Sequence, residues 1–334
     1  MDPRLRGDFG PRKDADLYAA LRLDLFMFSL LLALTLSLVL SPFRPTLSAR
    51  DFVVAPPPVR PLPTAATRPL AAPARKDQAR LGVELKSRSA AVLDWRTGVM
   101  LFGQDADSPQ PIASLTKLMT AIVSVEQGLD PARTVQIWGS DMRPGGVPYV
   151  APAEEVTIEN LLNLALVASS NESAVALARA SGLSPEEFVA KMNETAQRLG
   201  MANTVFMDPS GLDMGNVASA RDVAAMLRHA LASPTIREIV TKREYAFEAK
   251  TGRPHAVRST DDLLGSFLSK PPYKFLGGKT GFIEESGYCF GAAAENGDGH
   301  RLIAVVLGAP TKEVRFNEVK GLLFWAFDAF EWPQ

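Results

Sequence analysis

The chain has 334 residues, 46% of them hydrophobic, and a formal net charge of −1. That is enough apolar material for a sizeable core, and a balance so close to neutral gives no electrostatic case for nucleic acid. The single cysteine, Cys289, rules out an intramolecular disulfide, and within Tyr288-Cys289-Phe290 it reads as a buried strand residue.

In chain order, residues 1–24 read as a short cytoplasmic tail. Leu25 to Phe43 is uncharged, largely apolar and long enough to span a bilayer. No small-x-small pair comes close behind it, since Ala72-Pro73-Ala74 lies far downstream with a proline inside it, so an uncleaved anchor is favoured over a removed signal. Arg6, Arg12, Lys13 and Arg22 stand on one side of this segment and Arg44, Arg50 and Arg60 on the other, which leaves the positive-inside argument balanced. Residues 44–80 read as a linker: nine prolines fall between positions 42 and 80, and such a segment buries no core. In a polyproline conformation, at ~3.1 Å per residue, it reaches on the order of 100 Å.

Residues 81–334 read as one catalytic domain. Ala90 to Asp94 and Val99 to Phe102 flank Trp95-Arg96-Thr97-Gly98, a hairpin signal. Helical runs fill the middle from about residue 114 to 232, including Ile158 to Val167 and Ala174 to Ala180. Strands return at 243–249, 276–283, 286–295 and 301–308, and Glu313 to Phe330 is a helix with Val319, Leu322, Leu323, Ala326 and Phe330 on one stripe. That stripe suits packing on the sheet better than lying on a membrane surface. The pattern predicts an antiparallel sheet clasped by helices, an α/β (α+β) architecture with a helical subdomain.

Within this frame, Ser114-Leu115-Thr116-Lys117 places a hydroxyl and an amine at i and i+3, roughly 5–6 Å apart at Cβ on one helix face. An amine there serves as base only if burial or a nearby cation lowers its pKa, and the neighbours Leu118, Met119, Ala121, Ile122 and Val123 suit a half-buried helix. Ser169-Ser170-Asn171 supplies Ser-x-Asn between two apolar helical runs. Lys-Thr-Gly occurs twice. Lys250-Thr251-Gly252 runs into Arg253-Pro254 and reads as a hairpin tip. Lys279-Thr280-Gly281, preceded by Gly277-Gly278, suits an edge strand that a substrate approaches closely, so the functional copy is assigned to Lys279. His229, His255 and His300 are scattered in no metal-ligand spacing and flank none of these motifs, so neither a metal site, a Ser-His-Asp triad nor any cofactor is expected.

The order Ser-x-x-Lys, Ser-x-Asn, Lys-Thr-Gly is that of the penicillin-recognising serine enzymes. Together with Asp208-Pro209-Ser210-Gly211-Leu212 and Ser286-Gly287-Tyr288, the chain from about 87 to 330 resembles the D-alanyl-D-alanine carboxypeptidases, the low-molecular-mass penicillin-binding proteins. Glu172 departs from the aspartate usual after the Ser-x-Asn asparagine. The resemblance implies the β-lactamase/DD-peptidase fold and a serine carboxypeptidase acting on peptidoglycan stem peptides, with β-lactams as covalent inhibitors. It implies Ser114 as nucleophile, Lys117 as its base, Ser169 as proton relay and Asn171 as a bridge from Lys117 to a substrate amide. Backbone N–H groups of Ser114 and Phe282 would form the oxyanion hole, and Lys279, Thr280 and Arg315 would meet a terminal carboxylate. Because that substrate lies outside the cytoplasmic membrane, the domain is expected there, on a single N-terminal membrane anchor. Three alternatives stand beside this reading: a DD-endopeptidase, a β-lactamase, and a non-catalytic wall-binding protein. The second is disfavoured because no Glu-x-x-x-Asn lies between Asn171 and Lys279, and the third because every catalytic group is present.

Overall fold

The computed structural model describes residues 70–77, 83–144 and 146–333. The strands are β1 (Ala74–Arg75), β2 (Ser89–Asp94), β3 (Met100–Gln104), β4 (Gln110–Pro111), β5 (Thr134–Gln136), β6 (Glu155–Thr157), β7 (Val217–Ala218), β8 (Glu244–Glu248), β9 (Pro254–Arg258), β10 (Lys274–Ile283), β11 (Gly287–Glu295), β12 (Arg301–Ala309) and β13 (Phe330–Glu331). The helices are α1 (Thr116–Glu126), α2 (Ile158–Val167), α3 (Asn171–Ala180), α4 (Pro185–Arg198), α5 (Ala220–Ala232), α6 (Pro234–Val240) and α7 (Lys312–Ala329).

One antiparallel sheet in the order β10-β11-β12-β2-β3 organises the molecule. Successive strand residues point to opposite faces, and here both faces are apolar. On β12, Leu302, Ala304 and Val306 join Phe316, Val319, Leu322, Leu323 and Ala326 of α7 in one core. Ile303, Val305 and Leu307 join the second, larger core formed with the central helices. The helix predicted at 313–330 therefore packs on the sheet, and its last stripe residue, Phe330, is buried in β13 just past the helix end.

In the helical region α1 is buried from Thr116 to Ser124 and touches α2, α3, α4 and α5, its buried Thr120 and Ser124 hydroxyls donating to the Pro209 and Thr120 carbonyls. Serine and threonine set the starts of its neighbours: Thr157, Ser170, Ser184, Ser219 and Ser233 each accept a first-turn N–H with the side-chain oxygen, satisfying donors the helix leaves open.

The folded part reaches back further than the sequence boundary at residue 81. Ala74 and Arg75, which composition assigns to the linker, pair with Glu331 and Phe330, because a short extended stretch gains ladder hydrogen bonds there that composition does not reveal. Residues 1–69, with the tail, the apolar segment 25–43 and most of the linker, lie outside the described residues. Among the described residues no helix is long and apolar enough to cross a membrane.

Leu322 is fully buried between α7 and the sheet. Leu322→Ala is expected to lower unfolding free energy by about 2–5 kcal/mol, the range for a cavity left in a core. Urea denaturation measures it; a loss well under 1 kcal/mol would mean that α7 is not a structural half of the sandwich.

Candidate active site

The central helix begins with a tight 3-10 turn, Ala113–Leu115, that runs directly into α1. Ser114 sits in this turn, and Ala113 before it adopts a φ of +47°, a left-handed conformation that a residue with a Cβ adopts only when its surroundings impose it. The surroundings are two glycines. A Cβ at Gly211 (φ +84°) would stand 2.1 Å from the Ala113 carbonyl oxygen, and one at Gly281 in β10 would stand 2.6 Å from that of Ile112. The turn that holds Ser114 is thus clamped backbone to backbone between the 208–211 loop and the edge strand.

One turn along, Lys117 is fully buried. Its Nζ lies 2.8 Å from Ser114 Oγ, 2.7 Å from Asn171 Oδ1 and 2.6 Å from the Ser210 carbonyl oxygen. Burial pulls its pKa down to about 7, against the opposing charges of Asp208 and Glu172. As an ammonium it donates to all three; once neutral it keeps two N–H donors for Asn171 and Ser210 and turns its lone pair to the serine hydroxyl, which is what a base for that hydroxyl needs. The Ser-x-Asn motif owes its geometry to a cap: Ser170 caps α3 through the Ser173 N–H, so Asn171 opens the helix and Ser169 precedes it at φ +61°. Glu172, the departure from the family pattern, is buried and accepts the Tyr149 N–H at 2.6 Å.

Across the cleft, Lys279 projects from β10 and is 1% exposed. Its Nζ donates to Ser169 Oγ at 2.8 Å and to the Thr280 carbonyl at 3.0 Å. Burial holds its pKa well below the ordinary lysine value, and the positive charges of Lys117 and Arg315 push the same way. Thr280 Oγ1 and Thr260 Oγ1 are hydrogen-bonded at 2.6 Å. Phe282 is half-exposed and its ring lies 4.3 Å from that of Tyr288. Arg315 is not a solvated helix-start residue: it is 5% exposed, donates from Nη1 to the Gly281 carbonyl at 3.1 Å and lies over the rings of Tyr288 and Phe316. The second Lys-Thr-Gly is elsewhere, with Lys250 exposed in the turn between β8 and β9.

Of the residues singled out in the sequence, Ser114, Lys117 and Asn171 form one hydrogen-bonded cluster, Ser169 and Lys279 a second, and Arg315 joins through the backbone of β10. Asp261 is a site residue that the sequence does not single out. It is 6% exposed, Oδ1 accepts the Leu263 N–H at 2.8 Å, Oδ2 has no hydrogen-bond partner among the described residues, and a Cβ at Gly278 would stand 2.9 Å from that oxygen. Burial raises its pKa to about 7, and Lys279 and Arg315 pull the other way. Asp261-Asp262-Leu263-Leu264 carries no sign of this, because its local pattern is that of a turn cap, which it also is. Chemically the site offers an activated hydroxyl, a second buried amine linked through Ser169, and a cationic wall.

A family model described as D-alanyl-D-alanine carboxypeptidase matches residues 74–311. The D-alanyl-D-alanine carboxypeptidase DacC of Escherichia coli is 35% identical over 260 residues, 73% of this chain and 62% of that protein. A D-alanyl-D-alanine endopeptidase of Haemophilus influenzae is 34% identical over 204 residues, 60% of this chain and 68% of that protein. The crystal structure of a D-alanyl-D-alanine carboxypeptidase from Mycobacterium tuberculosis superposes with a TM-score of 0.67 at 29% identity, covering 74% of this chain and 92% of that one. The chain spans 62–63% of the length of the first curated carboxypeptidases it matches.

Acylation of Ser114 by a serine-directed acylating reagent is expected to accelerate as pH rises through about 7 and to level off above, as Lys117 loses its proton. A stopped-flow rate that stays flat across that range would remove Lys117 from the role of base.

Proposed function

We propose, since this chain belongs to the D-alanyl-D-alanine carboxypeptidase family, that it is a serine-type carboxypeptidase removing the terminal D-alanine from peptidoglycan stem peptides. The observation that carries this reading is the pair of buried lysines, Lys117 on Ser114 and Lys279 on Ser169, close enough for the charge of the first to lower the pKa of the second. In the proposed course, Ser114 Oγ attacks the carbonyl between the two D-alanines while Lys117 Nζ takes its proton. The tetrahedral oxyanion meets the N–H groups of Ser114 and Phe282, where one well-aimed donor is typically worth ~2.7–4 kcal/mol. Collapse breaks the C–N bond, and the leaving amine receives a proton through Ser169, fed from Lys279. Lys117 then releases the proton it took to solvent and Lys279 regains one, which resets both; water attacks the acyl-enzyme, Lys117 accepts its proton and returns it to Ser114 Oγ as the ester C–O bond breaks, and the shortened peptide departs. Asn171 holds Lys117 in place and presents its amide to the peptide. Lys279, Thr280 and Arg315 receive the terminal carboxylate, and a β-lactam enters as a stem-peptide mimic that acylates Ser114.

A membrane-anchored setting fits this substrate: the apolar stretch 25–43 as anchor and 44–80 as tether would hold the domain on the wall side of the cytoplasmic membrane. A second reading, DD-endopeptidase, is favoured by the 34% identity to a relative of that name. The two differ on the leaving side of the cleaved bond: a free D-alanine carboxylate, or a cross-linked chain.

A fluorescent penicillin is expected to label the protein at Ser114, with Ser114→Ala abolishing the label; undiminished labelling would sink the assignment. Lys279→Ala is expected to cut turnover of a D-Ala-D-Ala peptide by orders of magnitude and Lys250→Ala to change it little, the reverse ranking identifying the wrong copy. Arg315→Ala is expected to cost ~1.5–3 kcal/mol of transition-state binding, roughly ten- to hundredfold in kcat/KM, on a pentapeptide with a free carboxylate. It is expected to cost far less on an ester lacking that group. Equal losses, or release of cross-linked dimers in place of D-alanine by the wild type, would move the reading to an endopeptidase.

A further inference from the structure

Beyond the catalytic cleft, two open cavities of about 460 and 530 Å³ adjoin at the other end of the sheet and share Trp95 and Arg301 as their common wall. The lining is strongly cationic, with Arg96, Arg228, Arg237 and Lys274 in addition to Arg301. The two acids there are already engaged. Asp94 is 1% exposed, with one oxygen accepting from Trp332 Nε1 at 2.8 Å and the other from the Thr97 N–H and hydroxyl. Glu238 pairs with Lys242 at 3.3 Å.

Three of the guanidinium groups are held by backbone carbonyls. Arg228 donates to the Arg96 carbonyl at 3.1 Å, Arg96 to the Ala71 carbonyl at 3.3 Å and Arg237 to the Leu231 carbonyl at 3.2 Å. Among the described residues no carboxylate pairs with any of the three, nor with Lys274; Arg301 alone is matched, by Glu295 at 2.5 Å. A carbonyl fixes one edge of the guanidinium fork and leaves the other donors and the full charge for an anion. Aromatic faces lie beside them: Trp95 between the cavities, and Trp332 stacked on His300 at 4.4 Å.

From this geometry we propose that the paired cavities are an accessory binding site for an acidic saccharide polymer, which the enzyme grips while its catalytic cleft works on a neighbouring stem. Indole faces suit the apolar faces of sugars, and guanidinium forks suit carboxylate or phosphate substituents. Concavity argues against a bilayer, whose flat surface does not reach a cavity floor. The edge strand connects the two sites: Lys274 to Leu276 of β10 line the first cavity, and Lys279 lies five residues on, roughly 17 Å along a strand at ~3.4 Å per residue. One extended polymer spans that distance. The inference rests on the proposed peptidoglycan substrate for the identity of the polymer, whereas the cavities and their charge stand independently of it.

The test is co-sedimentation of the full chain, its Ser114 first blocked with a penicillin, with purified peptidoglycan sacculi. Arg96→Ala/Arg228→Ala/Arg237→Ala is expected to weaken binding about tenfold or more, with wild-type binding falling as sodium chloride is raised. Its kcat/KM on a short soluble D-Ala-D-Ala peptide is expected to stay within about twofold, since none of these residues touches the catalytic cleft. Lys274→Glu, a single change at an exposed side chain, is expected to weaken binding too and covers the case in which the triple variant misfolds. Binding that survives removal of wall phosphates by hydrofluoric acid assigns the anion to stem carboxylates; binding lost with them assigns it to a phosphate-bearing wall polymer. Unchanged sedimentation of both variants, or tighter binding to phosphatidylglycerol vesicles than to sacculi, would overturn the proposal. Absence of peptide turnover and penicillin labelling in the wild type would instead remove the catalytic reading, a different outcome in a different assay.

Discussion

Everything near Ser114 is arranged around the amine of Lys117. An ammonium taken fully out of water is costly unless its hydrogen bonds are replaced, and here they are replaced from three directions: the turn that holds Ser114, the start of α3 and the 208–211 loop. Each partner belongs to a different segment, so the lysine ties together three pieces that the chain brings in separately. The remaining cost appears as the lowered pKa, and that cost is also the chemical asset, because a lysine with an ordinary pKa would hold its proton.

Positive charge is concentrated on the opposite wall. Lys279 and Arg315 are both nearly excluded from water, and the charge of Arg315 adds to burial in lowering the Lys279 pKa, while Asp261 behind β10 opposes it. Cations in such a setting favour the arrival of an anion, since a carboxylate brings the compensating charge that solvent supplies elsewhere. The β10 strand can carry this load because it is an edge whose glycines let neighbouring backbone and the Asp261 carboxylate approach closely.

Much of this was legible in the residues. The three motifs, their order and the hairpin turn at Lys250 could be read because spacing on a helix and a proline after a glycine have direct geometric meaning. The sheet and α7 came from alternation and a helical stripe. What could not be read was set by contacts distant in sequence. Asp261 has the local signature of a turn cap, so its place beside Lys279 depends on how residues 261 and 279 meet. The family pattern draws attention to Arg315, yet its burial over Tyr288 and Phe316 comes with the packing of α7 on β11 and β12, which no local pattern records. Ala74 and Arg75 pair with β13 from within a proline-rich stretch whose composition points away from order.

That last pairing has a mechanical side. The chain enters the domain at Ala74 and Arg75 by zipping against Glu331 and Phe330, with Lys76 donating to the Ala329 carbonyl at the end of α7. Tension on the chain ahead of Ala74 is therefore taken up first by this short ladder and passed into the far end of α7, eighteen residues of helix lying along the sheet. Ser114 and both lysines sit outside that line of force. A few backbone hydrogen bonds thus separate the point where the chain enters the domain from the turn that holds Ser114 and from both buried lysines.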